Sequence, residues 1–232
     1  MNNISQCRIL ELPNGTSEAI GQFIKKTFDN KLVEAERLLT AKPVDSLQSY
    51  LGVPPENFGF SLTLLLLSLI DGAAHLLTPN NLRDNGDIFC NFIDKNFPWD
   101  VNYQTQYKCL NEKRLPRIQE KLPRILWKFF RNPIVHSLGV RNKISNQWQF
   151  KIIFPPPHFD ETKLEELKKQ DLNFPFEMEE KKIIRIIIPQ LYLSILNAIQ
   201  KTLNDPSKIE AIQNYILSGE WDYHKKRAKK TS

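Results

Sequence analysis

Cysteine is scarce and scattered. Cys7, Cys90 and Cys109 are odd in number and form neither a pair motif nor a metal-ligand spacing. That excludes a disulfide framework or a zinc site written into the chain, and it fits a reducing cytoplasm. Long apolar runs are missing too. The longest, Leu62 to Leu69, holds Thr63 and Ser68 and is soon followed by Asp71. It falls short of the ~18 apolar residues of a membrane span. At Met1-Asn2-Asn3-Ile4 no basic region leads into an apolar one, so no signal peptide is evident. No glycine-rich phosphate loop, no G-x-S-x-G and no internal repeat occurs. Neither a cofactor nor a metal is therefore expected.

What is present is enough for a core. Of 232 residues, 41% are hydrophobic, which suits one large domain or a domain with an appendage. The net charge of +6 comes from 32 basic and 26 acidic residues. Five of the basic ones, Lys225, Lys226, Arg227, Lys229 and Lys230, crowd the end; 32 less these five leaves 27 against 26. The high pI thus belongs to residues 225–232, read as a basic disordered tail able to hold nucleic acid non-specifically. The domain itself is expected over 1–224.

Periodicity then places the elements. Thr16 or Ser17 caps a helix to about Ala41, with Ile20, Phe23, Ile24, Phe28, Leu32, Ala35, Leu38 and Leu39 inward and a break suggested at Asp29-Asn30. A short helix is expected from Pro43 to Leu51. Phe58 to Leu77 is apolar nearly all round and belongs at the centre. On it, Asp71 and His75 share a face at i,i+4, and two polar groups on a central helix need partners. They either bond locally or sit at a wet helix end, the simpler expectation, or contact the Arg131–His136 region. A helix opens at Asp84 or Asn85 and ends at Phe97-Pro98-Trp99, and another spans about Tyr103 to Arg131 with breaks at Pro116 and Pro123.

After Gly139 the pattern changes. Gln147 to Phe154 alternates and reads as a strand, Glu161 to Gln170 as a short charged helix or mobile insertion, and Lys182 to Ile188 as a second strand. The two strands are expected to pair as a small antiparallel β-hairpin inserted over about 146–189. Helices from Pro189 to Leu203 and from Asp205 to Leu217 follow. The fold class is therefore mainly α: a helical bundle carrying a small antiparallel hairpin ahead of its C-terminal helices.

One charge pattern stands out. Arg117, Lys121, Arg124, Lys128 and Arg131 recur at four and three residues and line one helix face, opposite Ile118, Leu122, Ile125, Leu126 and Phe129. Such a ridge is either a solvated face or a track for RNA phosphates. It ends in Trp127-Lys128-Phe129-Phe130-Arg131-Asn132-Pro133-Ile134-Val135-His136-Ser137-Leu138-Gly139, where an Arg, an Asn and a His sit inside an apolar run. RNA self-cleavage needs a group that takes the 2′-hydroxyl proton and a cation that holds the phosphate. Histidine suits the first task by its pKa and arginine the second by its planar, permanently charged fork. On an unbroken helix five positions put Arg131 and His136 roughly 140° apart. Pro133 breaks the helix and Asn132 reads as the cap of a new turn, which brings the pair to one side. The plainer alternative is a helix-ending Arg131 and a half-buried His136.

Arg131-Asn132-Pro133-Ile134-Val135-His136 resembles the R-x4-6-H motif of the HEPN superfamily. The match is specific over about Trp127–Gly139, and the helix order from Phe58 to Gly139 resembles a HEPN core more loosely. The resemblance implies an up-and-down helical bundle and a two-fold homodimer in which two motifs meet. It implies a metal-independent ribonuclease, toxin-like or defensive, with Arg131, Asn132 and His136 catalytic; it is their shared helix face, and not the resemblance, that offers Asp71 and His75 as supporting residues. It also implies an antitoxin or nucleotidyltransferase partner. Some HEPN proteins have lost the chemistry, so the alternative is a non-catalytic module that binds a nucleotide, RNA or a protein. In HEPN toxins silenced by nucleotidylation a Tyr follows two residues after the His; here Leu138 stands there, which puts that control in doubt.

Overall fold

The structure is a computed structural model, and it describes residues 17–41, 56–77, 85–98, 122–131, 149–156, 159–173, 175–179 and 183–217. The helices are α1 (Ser17–Leu39), α2 (Glu56–Leu76), α3 (Asn85–Asn96), a single turn α4 (Leu122–Ile125) that continues as a π-helix (Leu126–Arg131), α5 (Glu161–Lys168), α6 (Ile188–Leu203) and α7 (Pro206–Leu217). The strands are β1 (Gln149–Ile153), β2 (Phe176–Glu179) and β3 (Ile183–Ile187). The described chain is mainly helical with one small three-stranded sheet. No described helix is long and apolar enough to cross a membrane.

α2 is the centre, as its leucines imply. It packs against α1, α3 and α6, and Leu62, Leu66, Leu67, Leu69, Ile70, Ala73 and Ala74 are buried. Helices with neighbours on several sides lose the polar stripe of a surface helix. α1 supplies Ile24, Phe28, Leu32, Ala35 and Leu39 at helical spacing, and it runs through Asp29-Asn30 without the expected break. Both residues are exposed there, so they cost the helix only propensity. α6 and α7 pack back on α1, which ties the two ends of the described chain together.

The strand pairing corrects the sequence reading. β1 and β3 run parallel, Gln149 opposite Ile183 through Ile153 opposite Ile187, rather than as an antiparallel hairpin. The antiparallel partner of β3 is β2, a strand the sequence reading passed over. β3 is central, in the order β1-β3-β2, and its run of isoleucines fits a strand paired on both edges. A parallel pair needs a crossover of a dozen or more residues. α5 supplies it, capped by Asp160, whose Oδ1 accepts from the Lys163 N–H at 3.0 Å, and seated on α6 through buried Leu164 and Leu167. Phe176 of β2 is buried and stacks on Phe97 at 6.4 Å, pinning the sheet to the end of α3. Arg185 and Glu177 pair across the strands at 3.7 Å.

A polar network joins α1, α5 and α6. The fully buried Tyr192 donates its hydroxyl to Glu36, and Lys168 bridges Glu36 at 2.8 Å and Glu165 at 2.9 Å. Burial pushes the Tyr192 hydroxyl pKa up, and the Glu36 carboxylate adds to this. Burial pulls the Lys168 ammonium down, but its bonds to Glu36 and Glu165 together outweigh it and leave the group raised. A hydrogen bond to a charged acceptor contributes about 1.5–3 kcal/mol. Tyr192→Phe is expected to destabilise by about that amount, read as a lower urea midpoint with an unchanged m-value.

The expected helix at Pro43–Leu51, the stretch 103–121 and the tail 225–232 lie outside the described residues.

Candidate functional site

The site is built where the chain returns to α2 after α4. Pro123 sits in the first turn of α4, where its missing N–H costs nothing. From Leu126 the helix widens to π geometry, with i→i+5 bonding, up to Arg131. Such segments are rare and recur at functional sites. Leu126 and Phe130 are buried, while Trp127 and Arg131 come to the edge of the core. The helix phase thus already changes at Leu126, whereas Pro133, where the break was expected, lies outside the described residues.

Arg131 turns towards the central helix. Its Nε–H and one Nη–H donate to the same oxygen, Oδ2 of Asp71, at 2.9 and 2.5 Å. The guanidinium lies 4.3 Å above the centre of the Trp127 ring, within reach of a cation–π attraction. Trp127 packs in turn on Phe89 of α3, with ring centres 5.1 Å apart and planes tilted by 49°. Only 15% of the Arg131 side chain and 20% of the Asp71 side chain reach solvent. Two charges in so dry a place interact strongly and are costly to separate.

Burial pushes the Asp71 carboxyl above the usual carboxylate range, and Arg131 and His75 only partly pull it back. A folded carboxyl with a raised pKa holds its proton more tightly than the unfolded one. Its contribution to stability is therefore greatest at low pH, falls as pH rises through that window, and is constant above it. His75, one turn further along α2, acts on Asp71 as a nearby charge.

Of the residues singled out in the sequence, Arg131 and Asp71 are brought into direct contact across two helices. This departs from the simpler expectation of local bonding for Asp71. Arg124 bonds Asp87 of α3 at 3.0 Å, with both side chains well exposed, an ion pair of small worth. Both described members of the basic ridge thus already have a carboxylate beside them. Arg117, Lys121, Asn132, His136 and the side chain of Lys128 lie outside the described residues. Beside Arg124, burial pushes the Cys90 thiol up to about 11, and Arg124 offsets this only in part. Cys90 is thus a protonated thiol at neutral pH.

The sequence reading placed Trp127 at the head of the motif stretch and Phe89 inward on its helix, but gave neither a role at the site. Trp127 was legible in principle, because it precedes Arg131 by four residues, the spacing at which helical side chains meet. Phe89 and Asp87 had no local signal, since their partners lie far along the chain. Comparison with known proteins gives no match to a family model, to a curated protein or to a solved structure.

Proposed function

We propose that this protein is a metal-independent endoribonuclease of the HEPN type. Arg131 holds the scissile phosphate, His136 moves the 2′-hydroxyl proton and Asn132 orients the pair. The observation that carries the reading is the seat of Arg131, fixed against a carboxylate of the central helix and stacked on an aromatic ring. A cation that stabilises developing charge acts best when it is oriented before the substrate arrives. The 2′-oxygen attacks phosphorus and the 5′-oxygen of the next nucleotide leaves, giving a 2′,3′-cyclic phosphate. Arg117, Lys121, Arg124 and Lys128 guide the RNA backbone, with Arg124 exchanging Asp87 for phosphate. The bundle is of the up-and-down HEPN kind, the active unit is a two-fold homodimer that joins two motifs, and the setting is a cytoplasmic toxin or defence system with its own silencing partner.

The test is a fluorescent-RNA cleavage assay in the presence of chelator. The expected result is cleavage that leaves a cyclic phosphate, from a species that light scattering finds dimeric. No cleavage of varied RNAs, with RNA or nucleotide still bound, would move the assignment to a non-catalytic HEPN-like binding module. One observation favours that second reading: Arg131 is 15% exposed and already committed to Asp71, as a structural strut would be.

A further inference from the structure

The geometry points to the outward face of the three-stranded sheet as a docking surface for a second copy of this chain, laid face to face across a two-fold axis that runs along β3. The face shares no residue with the Arg131 site, so the inference goes beyond the nuclease reading.

Side chains alternate between the two faces of a strand. Ile184 and Ile186 of β3 are fully buried, and Phe176 opposite Ile186 is buried with them, so that face lies on the core. Ile183, Arg185 and Ile187 point the other way and are only half-buried. The register sets Lys151 and Glu177 on either side of Arg185, and Ile153 beside Ile187. Lys151 is exposed, and Ile153 is 42% exposed. Parallel strands are as a rule covered on both faces, and β3, paired in parallel with β1, carries isoleucines on both.

The charges identify the cover. Across the sheet the row reads Lys151, Arg185, Glu177, positive at one edge and negative at the other. Glu177 lies 3.7 Å from Arg185, with 55% of its side chain still exposed. Lys151 has no carboxylate beside it among the described residues. Stacked sheets keep their strands roughly aligned, and a two-fold axis achieves this in two ways. An axis across the strands sets Lys151 on its own copy and Glu177 on its own copy, so like charges meet twice. An axis along β3 sets Lys151 over Glu177 of the second copy and Glu177 over its Lys151. Ile183 and Ile187 then meet their own copies, and Arg185, on the axis, keeps its own Glu177 beside it. Only this arrangement is self-complementary both in apolar contact and in edge charge. Three short strands fall well below the ~800 Å² per partner of a standard interface, so the association is reversible and weak.

The experiment is sedimentation equilibrium on the full chain, on Lys151→Glu, on Glu177→Lys and on an equimolar mixture of the two variants. Wild type is expected to dimerise. Each variant alone sets like charges opposite one another twice, which should raise its dissociation constant at least about tenfold. In the mixture both opposite-charge pairs return, and one-to-one dimers should form about as tightly as in wild type. Circular dichroism should be unchanged, because both positions are exposed. Should Glu177→Lys fail to fold, Glu177→Gln replaces it, and its mixture with Lys151→Glu should associate more tightly than Lys151→Glu alone. Wild type that stays monomeric at submillimolar concentration overturns the proposal, and so do variants that do not pair in the mixture. A wild-type dimer that Lys151→Glu leaves intact overturns it too, while keeping the motif-to-motif dimer of the proposed nuclease. RNA cleavage is read separately, so the nuclease reading fails or stands by its own assay.

Discussion

Asp71→Ala is expected to remove about 3–5 kcal/mol of stability, one of the largest effects of any single substitution in this chain. The reason is less the bond lost than the cation left behind. Arg131 is 15% exposed and gives two N–H groups to Asp71, so its charge stays in a dry place without the carboxylate that faced those donors. At 2–4 °C per kcal/mol for a chain of this size, the melting temperature should fall on the order of 10 °C. Asp71→Asn keeps an acceptor oxygen and should cost clearly less. It should also abolish the part of the acid-range pH dependence that comes from the raised Asp71 carboxyl. Replacing both partners, Asp71→Leu with Arg131→Met, should come close to wild type in stability, since two apolar side chains need no pairing. Thermal melts of wild type, Asp71→Leu, Arg131→Met and the double variant form a double-mutant cycle, with Asp71→Ala and Asp71→Asn melted beside them. A double variant as unstable as Asp71→Ala would show that the pair is not an isolated unit, and an Asp71→Ala within 1 kcal/mol of wild type would show that water reaches Arg131 freely.

The helices were legible along the chain and the strand pairings were not. α1, α2, α3, α6 and α7 were legible because each carries apolar residues on one face at helical spacing, or nearly all round in α2, and because Pro98, Pro189 and Pro206 punctuate them. β3 was legible from four isoleucines, Arg185 aside, but its neighbours were not. Two strands separated by about thirty residues can pair either way, and what decides is the helix between them, whose docking on α6 depends on tertiary contacts. β2 was missed because Phe176-Glu177-Met178-Glu179 is short and half acidic. It is a strand because β3 offers it an edge and Phe97 offers its aromatic ring a partner.

The candidate site was legible in its types, and in its partners only as one option, contact of Asp71 with the Arg131 region, which the Arg131–Asp71 bond bears out. An Arg at the end of a helix and an Asp on an apolar helix were both visible as groups in need of something. That they satisfy one another across sixty residues is a matter of tertiary packing, which seats α4 and the π-helix on α3 and brings Arg131 within reach of α2. The π-helix was invisible, because nothing in Leu126 to Arg131 distinguishes it from an α-helix by composition. Its consequence is that Arg131 leaves the solvent side, where a 3-and-4 spacing had put it, and turns inwards. The same packing gives Arg131 two roles at once, in the fold and in the proposed chemistry.

That double role shapes the remaining prediction. If His136 takes the 2′-hydroxyl proton, His136→Ala should lose about 10²–10⁴-fold in cleavage rate, the usual worth of one positioned acid or base. The loss should come with little change in melting temperature, because the role is chemical. The wild-type rate should fall as pH drops through about 6.5, where a free imidazole gains its proton and stops acting as a base. Arg131→Lys should lose rate as well, since an ammonium cannot copy a planar fork. It should also lose stability, because one ammonium replaces two donors that now converge on Asp71. The two causes separate by temperature. Assayed well below its melting point, Arg131→Lys is fully folded and any remaining deficit is catalytic. Asp71→Asn completes the set: it keeps Arg131 in place less firmly and should fall between wild type and Arg131→Lys in both rate and melting temperature. Cleavage that persists undiminished in His136→Ala would eliminate the mechanism. Rates that track melting temperature alone across all four proteins would leave Arg131 a structural strut.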